Sequence, residues 1–208
     1  MDQIIRRQPQ PNPDGQILRC AFSGYRPQKL PFGFNEEDIR CVDFKRRIRC
    51  AIESLIWNGY CHFLSGGALG YDTFAAEAVM GLRGRYPWIT LEFVVPFDAQ
   101  AERWEPYSRL RYNWNLDQAD IVTYVSHEYS RDCMTKRNRY LVDQSDMLLA
   151  AYDGRPGGTQ HTVDYAKSRN KEIRLIPPSV TETRMWIWDY DRQNSPLGNA
   201  HNDHLTTA

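Results

Sequence analysis

A three-layer α/β/α fold around a mostly parallel sheet is what this sequence predicts, and three observations predict it. Short apolar runs alternate along the chain with stretches of helical periodicity. The runs lie too far apart for hairpins, so crossover connections must join them. The run "ITLEFVVPF", residues 89–97, is apolar nearly throughout, as strands covered on both faces tend to be.

Residues 1–16 are polar and proline-rich, too poor in apolar side chains to offset the entropy of ordering, and predict a flexible N-terminal arm. "ILRCAF" (17–22) is the first expected strand. From Glu36 to about Asn58, Cys41, Phe44, Ile48, Ala51, Ile52 and Leu55 recur at helical spacing, and Gly59 supplies the stop. "CHFLS" (61–65) is the second strand, and "DTFAAEAVMGL" begins the second helix with Asp72 or Thr73 placed to cap it. After the third strand, 89–97, a helix carrying Trp104, Leu110 and Trp114 is expected, followed by a strand at 120–126. A helix over 134–144, a strand over 146–153, a helix over 159–168 and a strand over 172–178 complete the pattern. Six strands alternate with five helices, which predicts a Rossmann-like domain over 17–178. Residues 179–208 form a C-terminal extension, expected to be partly disordered, although Trp186 and Trp188 call for a surface to cover them.

Composition narrows the function. With 26 basic residues against 26 acidic ones, no global field attracts a nucleic acid or a membrane. No apolar run nears the roughly 20 residues of a membrane span, and the N-terminus lacks a signal peptide's apolar segment, so a cytoplasmic protein with no membrane partner is expected. The five cysteines show neither a C-x-x-C pair nor a metal-ligand spacing. Free thiols are expected, with no metal and no cofactor.

In sheets of this kind the strand-to-helix loops emerge at the carboxyl edge, where ligands bind. Three such loops are unusual: "SGYRPQKLPFG", "SGGALGYD" and "DGRPGGTQHT". Glycine reaches positive φ and has no side chain, so a glycine loop entering a helix lets main-chain amides approach an anion. Gly66, Gly67 and Gly70 outline one cradle; Gly157, Gly158 and Thr159 outline a second. Neither loop is a Walker motif or G-x-G-x-x-G, and each alone is equally well explained by tight turns and close packing. Two on one edge favour phosphate. Gly24 and Ser65 belong to the same loops, Arg26 and Lys29 could pair with a diphosphate, Tyr25 could stack on a base, and Asp72 could contact a ribose hydroxyl.

The blocks "GYRPQKLPFG", "SGGALGYDTFAAE", "VVPFDAQAERW", "CMTKRNRYLVDQSDMLLAAYDG" and "GGTQHTVDYA", spread over residues 18–178, resemble the SLOG superfamily and, within it, the YpsA-like proteins. The resemblance implies a domain that binds nucleotides or nucleotide-derived ligands, often as an oligomer. It also opens comparison with LOG phosphoribohydrolases, DprA-like single-strand DNA binders and sensors of ADP-ribose-like signals. Relative to the LOG pattern, "MTKRN" places Arg137 at the reactive arginine, Ser145 and Asp146 match its S-D pair, and "PGGTQHTVD" places Asp164 at the glutamate. Gln160 and His161 replace the second Gly-Thr, and aspartate reaches one methylene less far, so glycosidic cleavage using Arg137 and Asp164 is the second expectation. The first is a sensor, carrier or sequestering protein for a phosphate-bearing nucleotide or ADP-ribose-like ligand, assembled as a homo-oligomer. A DNA-binding or protein-interaction module is the third.

Overall fold

The computed structural model describes residues 1–179. The predictions about Trp186, Trp188 and a partly disordered extension lie outside these residues, apart from Ser179. Within them, seven strands and five helices follow one another as β1 (Asp2–Ile5), β2 (Leu18–Gly24), α1 (Ile39–Trp57), β3 (Tyr60–Ser65), α2 (Tyr71–Leu82), β4 (Thr90–Val95), α3 (Pro106–Gln118), β5 (Ile121–Tyr124), α4 (Cys133–Asp143), β6 (Met147–Ala151), α5 (Gly158–Ser168) and β7 (Glu172–Leu175). The sheet order is β1-β5-β4-β3-β2-β6-β7, with every pairing parallel except that of β1 with β5. This is the Rossmann-like three-layer architecture expected.

Alternation along each strand divides the core in two. Cys20, Phe22, Phe63, Phe93 and Leu149 pack with residues of α1, α2 and α3, whereas Ala21, Leu64, Val94 and Leu148 pack with residues of α4 and α5. The chain steps from β2 outward to β5, then returns across the sheet to β6 on the other side of β2. Neighbouring strands β2 and β6 therefore send their following helices to opposite faces, which opens a crevice at their carboxyl ends.

Three sequence expectations need correction. The arm at residues 1–16 is not loose. Asp2–Ile5 joins the sheet edge antiparallel to β5, the amide of Arg6 donates to the Asp120 carbonyl at 2.7 Å, and Arg7 Nε donates to the Asp120 carboxylate at 2.7 Å. Further on, the Asn12 amide donates to Gly59 O at 3.0 Å while its carbonyl accepts from the amides of Asp14 and Gln16. Backbone pairing and charge-assisted bonds hold this segment, with Ile4 and Ile5 still nearly half exposed, so hydrophobicity gives no sign of it. Second, the α2 cap is Gly70 at φ +88°, without a side-chain bond; Asp72 and Thr73 lie inside the first turn. Third, Trp104 precedes α3 rather than lying on it, packing edge-on to Tyr112 at 5.2 Å between centroids.

Cys20, Cys41, Cys61 and Cys133 are buried thiols outside any disulfide. No helix among the described residues is long and apolar enough to cross a membrane.

Candidate functional site

The crevice between β2 and β6 holds a cleft of about 280 Å³, lined by the β2 loop, the start of α2, one side of α4 and the first turn of α5. Of the sequence-predicted residues, Gly24, Tyr25, Arg26, Lys29, Asp72, Arg137, Gly158 and Thr159 line it, whereas Ser65, Gly66, Gly67 and Gly157 do not. Gln28, Met134 and Asn138 also line it and were not anticipated. Met134 and Asn138 are four apart and flank Arg137, so helical spacing around that arginine was the available signal.

The loop after β2 is stapled to the loop after β6 through Tyr25. Its ring is 2% exposed, its hydroxyl donates to Asp153 Oδ1 at 2.6 Å and accepts from the Arg155 amide at 3.2 Å. Arg155 and Lys29 sit over the ring at 4.7 and 5.6 Å from its centroid. Both the hydroxyl and the ring, for which stacking on a base was expected, are thus engaged by protein groups. The Arg155 guanidinium, then the Tyr25 hydroxyl, hold the Asp153 carboxyl down at about 2 against its burial.

The loop after β3 is also occupied from within. A Cβ on Gly24 would lie 2.4 Å from the ring of Tyr71, and one on Gly70 would lie 2.7 Å from Tyr25 O. Gly67, at φ +62°, gives its space to Phe93 and Tyr112, while Ser65 Oγ accepts from its amide at 3.2 Å. Gly66 is the tightest case: its Cβ would fall 1.1 Å from Arg137 Nη1. The first predicted anion cradle is thus filled by protein groups, and a guanidinium stands where phosphate was expected.

That guanidinium is under-partnered. Arg137 is 5% exposed, its Nη1 donates to Asp72 Oδ2 at 3.3 Å, Nη2 reaches only Met134 Sδ at 3.9 Å, and Nε has no partner among the described residues. Burial holds the Arg137 pKa below its ordinary value despite Asp72, and Arg26 adds like-charge repulsion. Asp72, equally buried, accepts also from the Ala68 amide at 3.4 Å; burial raises its pKa, opposed by Arg137. Asp72 is thus paired with Arg137 alone, while Arg26 acts on both only through its charge.

The second cradle is open. Gly157 caps α5 at φ +143° with no side-chain bond to the first-turn amides, and Lys29 Nζ would lie 2.5 Å from a Cβ there. Lys29 donates to Pro156 O, fixing the loop. Gly158 has open space where its Cβ would be. The free amides and positive end of α5 therefore face the same cleft as Arg137.

Asp164 lies on the outside of α5 with its side chain 55% exposed, 3.8 Å from Lys167, and does not line the cleft. Ser145 and Asp146 lie at the opposite, amino end of the sheet, where Asp146 accepts from the Arg19 amide at 2.7 Å. The LOG-type pairing of Arg137 with Asp164 is not assembled here.

Fold and cleft together define a Rossmann-like protein with a basic site at its topological switch point. The profile of the YspA SLOG family matches residues 20–179, and the chain belongs to that family. A UPF0398 protein of Halalkalibacterium halodurans is 34% identical over 185 residues, covering 85% of this chain and 95% of that one. Another from Bacillus thuringiensis is 30% identical over 155 residues, covering 73% and 83%. Among solved structures, DNA processing protein A from Helicobacter pylori, described for its single-stranded DNA binding mode, superposes with a TM-score of 0.55 at 17% identity, covering 79% of this chain and 67% of that chain. The Streptococcus pneumoniae DprA gives 0.56 at 16% identity, covering 86% and 57%. These two likenesses establish the fold.

Proposed function

We propose that this protein binds a phosphate-bearing nucleotide or nucleotide-derived ligand in the cleft between β2 and β6, as a sensor, carrier or sequestering protein. One observation carries the reading: the buried Arg137 guanidinium has a single long carboxylate contact and faces the uncapped first turn of α5 across the cleft. A buried charge short of partners is costly, and an anion bridging it to free helix amides removes that cost. The outward position of Asp164 supports binding without hydrolysis. Single-stranded DNA is named for one structural neighbour, whose likeness extends to fold alone.

The test is thermal unfolding with AMP, ADP and ADP-ribose against adenosine. At a hundredfold excess over Kd a ligand adds about 2.7 kcal/mol, which raises Tm by roughly 5–10 °C in a domain of this size. At least one phosphate-bearing compound should produce such a rise and adenosine should not. Gly158→Phe should abolish the rise while leaving the unliganded Tm in place. A full rise in that variant rejects the site. Chromatography should find no free base released from AMP, GMP, CMP or UMP; release lost in Asp164→Asn would make the protein an enzyme instead.

A further inference from the structure

A second cleft, of about 220 Å³, lies on the α3 side of the Pro27 turn and is independent of the phosphate site. Its walls are aromatic: Phe74 and Tyr112 are buried, Trp104 is half-buried, and Phe34 and Tyr107 are 63% and 74% exposed beside it. Surface aromatics this exposed need a reason when several converge on one concavity.

Charge selects the guest. Arg111 lines the floor but spends its donors on Glu77, at 2.5 and 2.6 Å, and on Glu36, which also receives Lys45. Glu105, at the rim, makes no side-chain hydrogen bond or ion pair among the described residues. Three carboxylates thus face two cations, leaving one negative charge beside open aromatic surface. The protein's own cations already use this wall: Lys45 Nζ lies 4.8 Å and Arg111 Cζ 5.8 Å from the Phe74 centroid. An anionic strand stacking a base here would bring phosphates against Glu36 and Glu105, so the chemistry is opposite to that of the phosphate cleft.

We infer that this second cleft binds a guanidinium group, stacked on Tyr107 and Trp104 and paired with Glu105. A planar cation suits both the aromatic faces and the carboxylate better than a compact ammonium does.

Calorimetry on the full chain tests it with ethylguanidinium, its neutral isostere ethylurea, an acetylated Gly-Arg-Gly amide and oligothymidylate. Ethylguanidinium should bind and ethylurea should not. Binding of ethylguanidinium without the peptide would identify a free small cation as the source, and stronger binding of the peptide would identify an arginine side chain. Tyr107→Ala and Glu105→Gln, both at exposed positions, should each weaken binding by about two- to fivefold with the fold intact. The inference falls if no guanidinium binds up to about 10 mM, if ethylurea binds equally, if both variants bind like the native chain, or if oligothymidylate binding is what these variants remove.

Discussion

Gly66 decides where Arg137 can be. Because a methyl group there would overlap Nη1, Gly66→Ala must push the guanidinium off Asp72 or distort the loop after β3. Overpacking of this kind costs about 1–3 kcal/mol. We expect Gly66→Ala to lower stability by that amount in denaturant unfolding and to lose the nucleotide response as well. Gly158→Ala, with open space around it, should change stability by less than about 1 kcal/mol. Asp72→Asn is the complementary test, since it leaves Arg137 buried without its carboxylate. The expected loss is about 3–5 kcal/mol, and inorganic phosphate should restore part of it if the cleft takes anions. No restoration at any phosphate concentration would count against the anion site. Sequence alone pointed to Arg137, Asp72 and the glycines together, yet assigned the glycines to the ligand. Whether a missing side chain makes room for a ligand or for a neighbouring arginine depends on contacts between residues 66 and 137, which no local pattern encodes.

β1 is the element the sequence reading lost, and its attachment makes a testable pH dependence. His127 Nε2 bonds the Asp2 carboxylate at 2.8 Å and Nδ1 lies 3.2 Å from Asp98, tying the strand's start to the sheet's carboxyl edge. Asp2, then Asp98, raise the His127 pKa above its usual 6.5. A raised histidine stabilises in its protonated form, so this contribution is full below 6.5 and fades as pH rises through the folded-state value. Protection factors of the β1 amides, corrected for intrinsic exchange, should fall across that rise in the native chain and stay flat in His127→Gln. An identical fall in both would mean that the ladder to β5 alone sets the strand's stability. The other strands and helices were legible, with shifts of a few residues at their ends, because their apolar periodicity reflects burial on one or both faces.

At the scale of the molecule, equal numbers of acidic and basic side chains leave no long-range attraction for DNA, and the two clefts carry opposite local charge. Fluorescence anisotropy with labelled oligothymidylate should accordingly show no binding at about 150 mM salt; binding with a steep inverse salt dependence would promote the single-strand reading. Homo-oligomerisation stays a proposal, motivated by family resemblance and by the tryptophans beyond Pro178. Light scattering should return a dimer or larger species, and a monomer at working concentration would reject it.

The sequence by itself determined the α/β/α layering, the parallel sheet, the family and the edge on which a ligand site would form, because each follows from periodicity, strand spacing and short motifs. Only the tertiary structure decided which residues face that site. It closed one glycine cradle with Arg137, turned Tyr25 inward to Asp153, sent Asp164 outward and gathered Phe34, Trp104, Tyr107 and Glu105 around a second cleft. The physical reason is that packing and charge pairing join residues far apart in sequence, and a side chain's partner is fixed only when the crossovers bring the elements together.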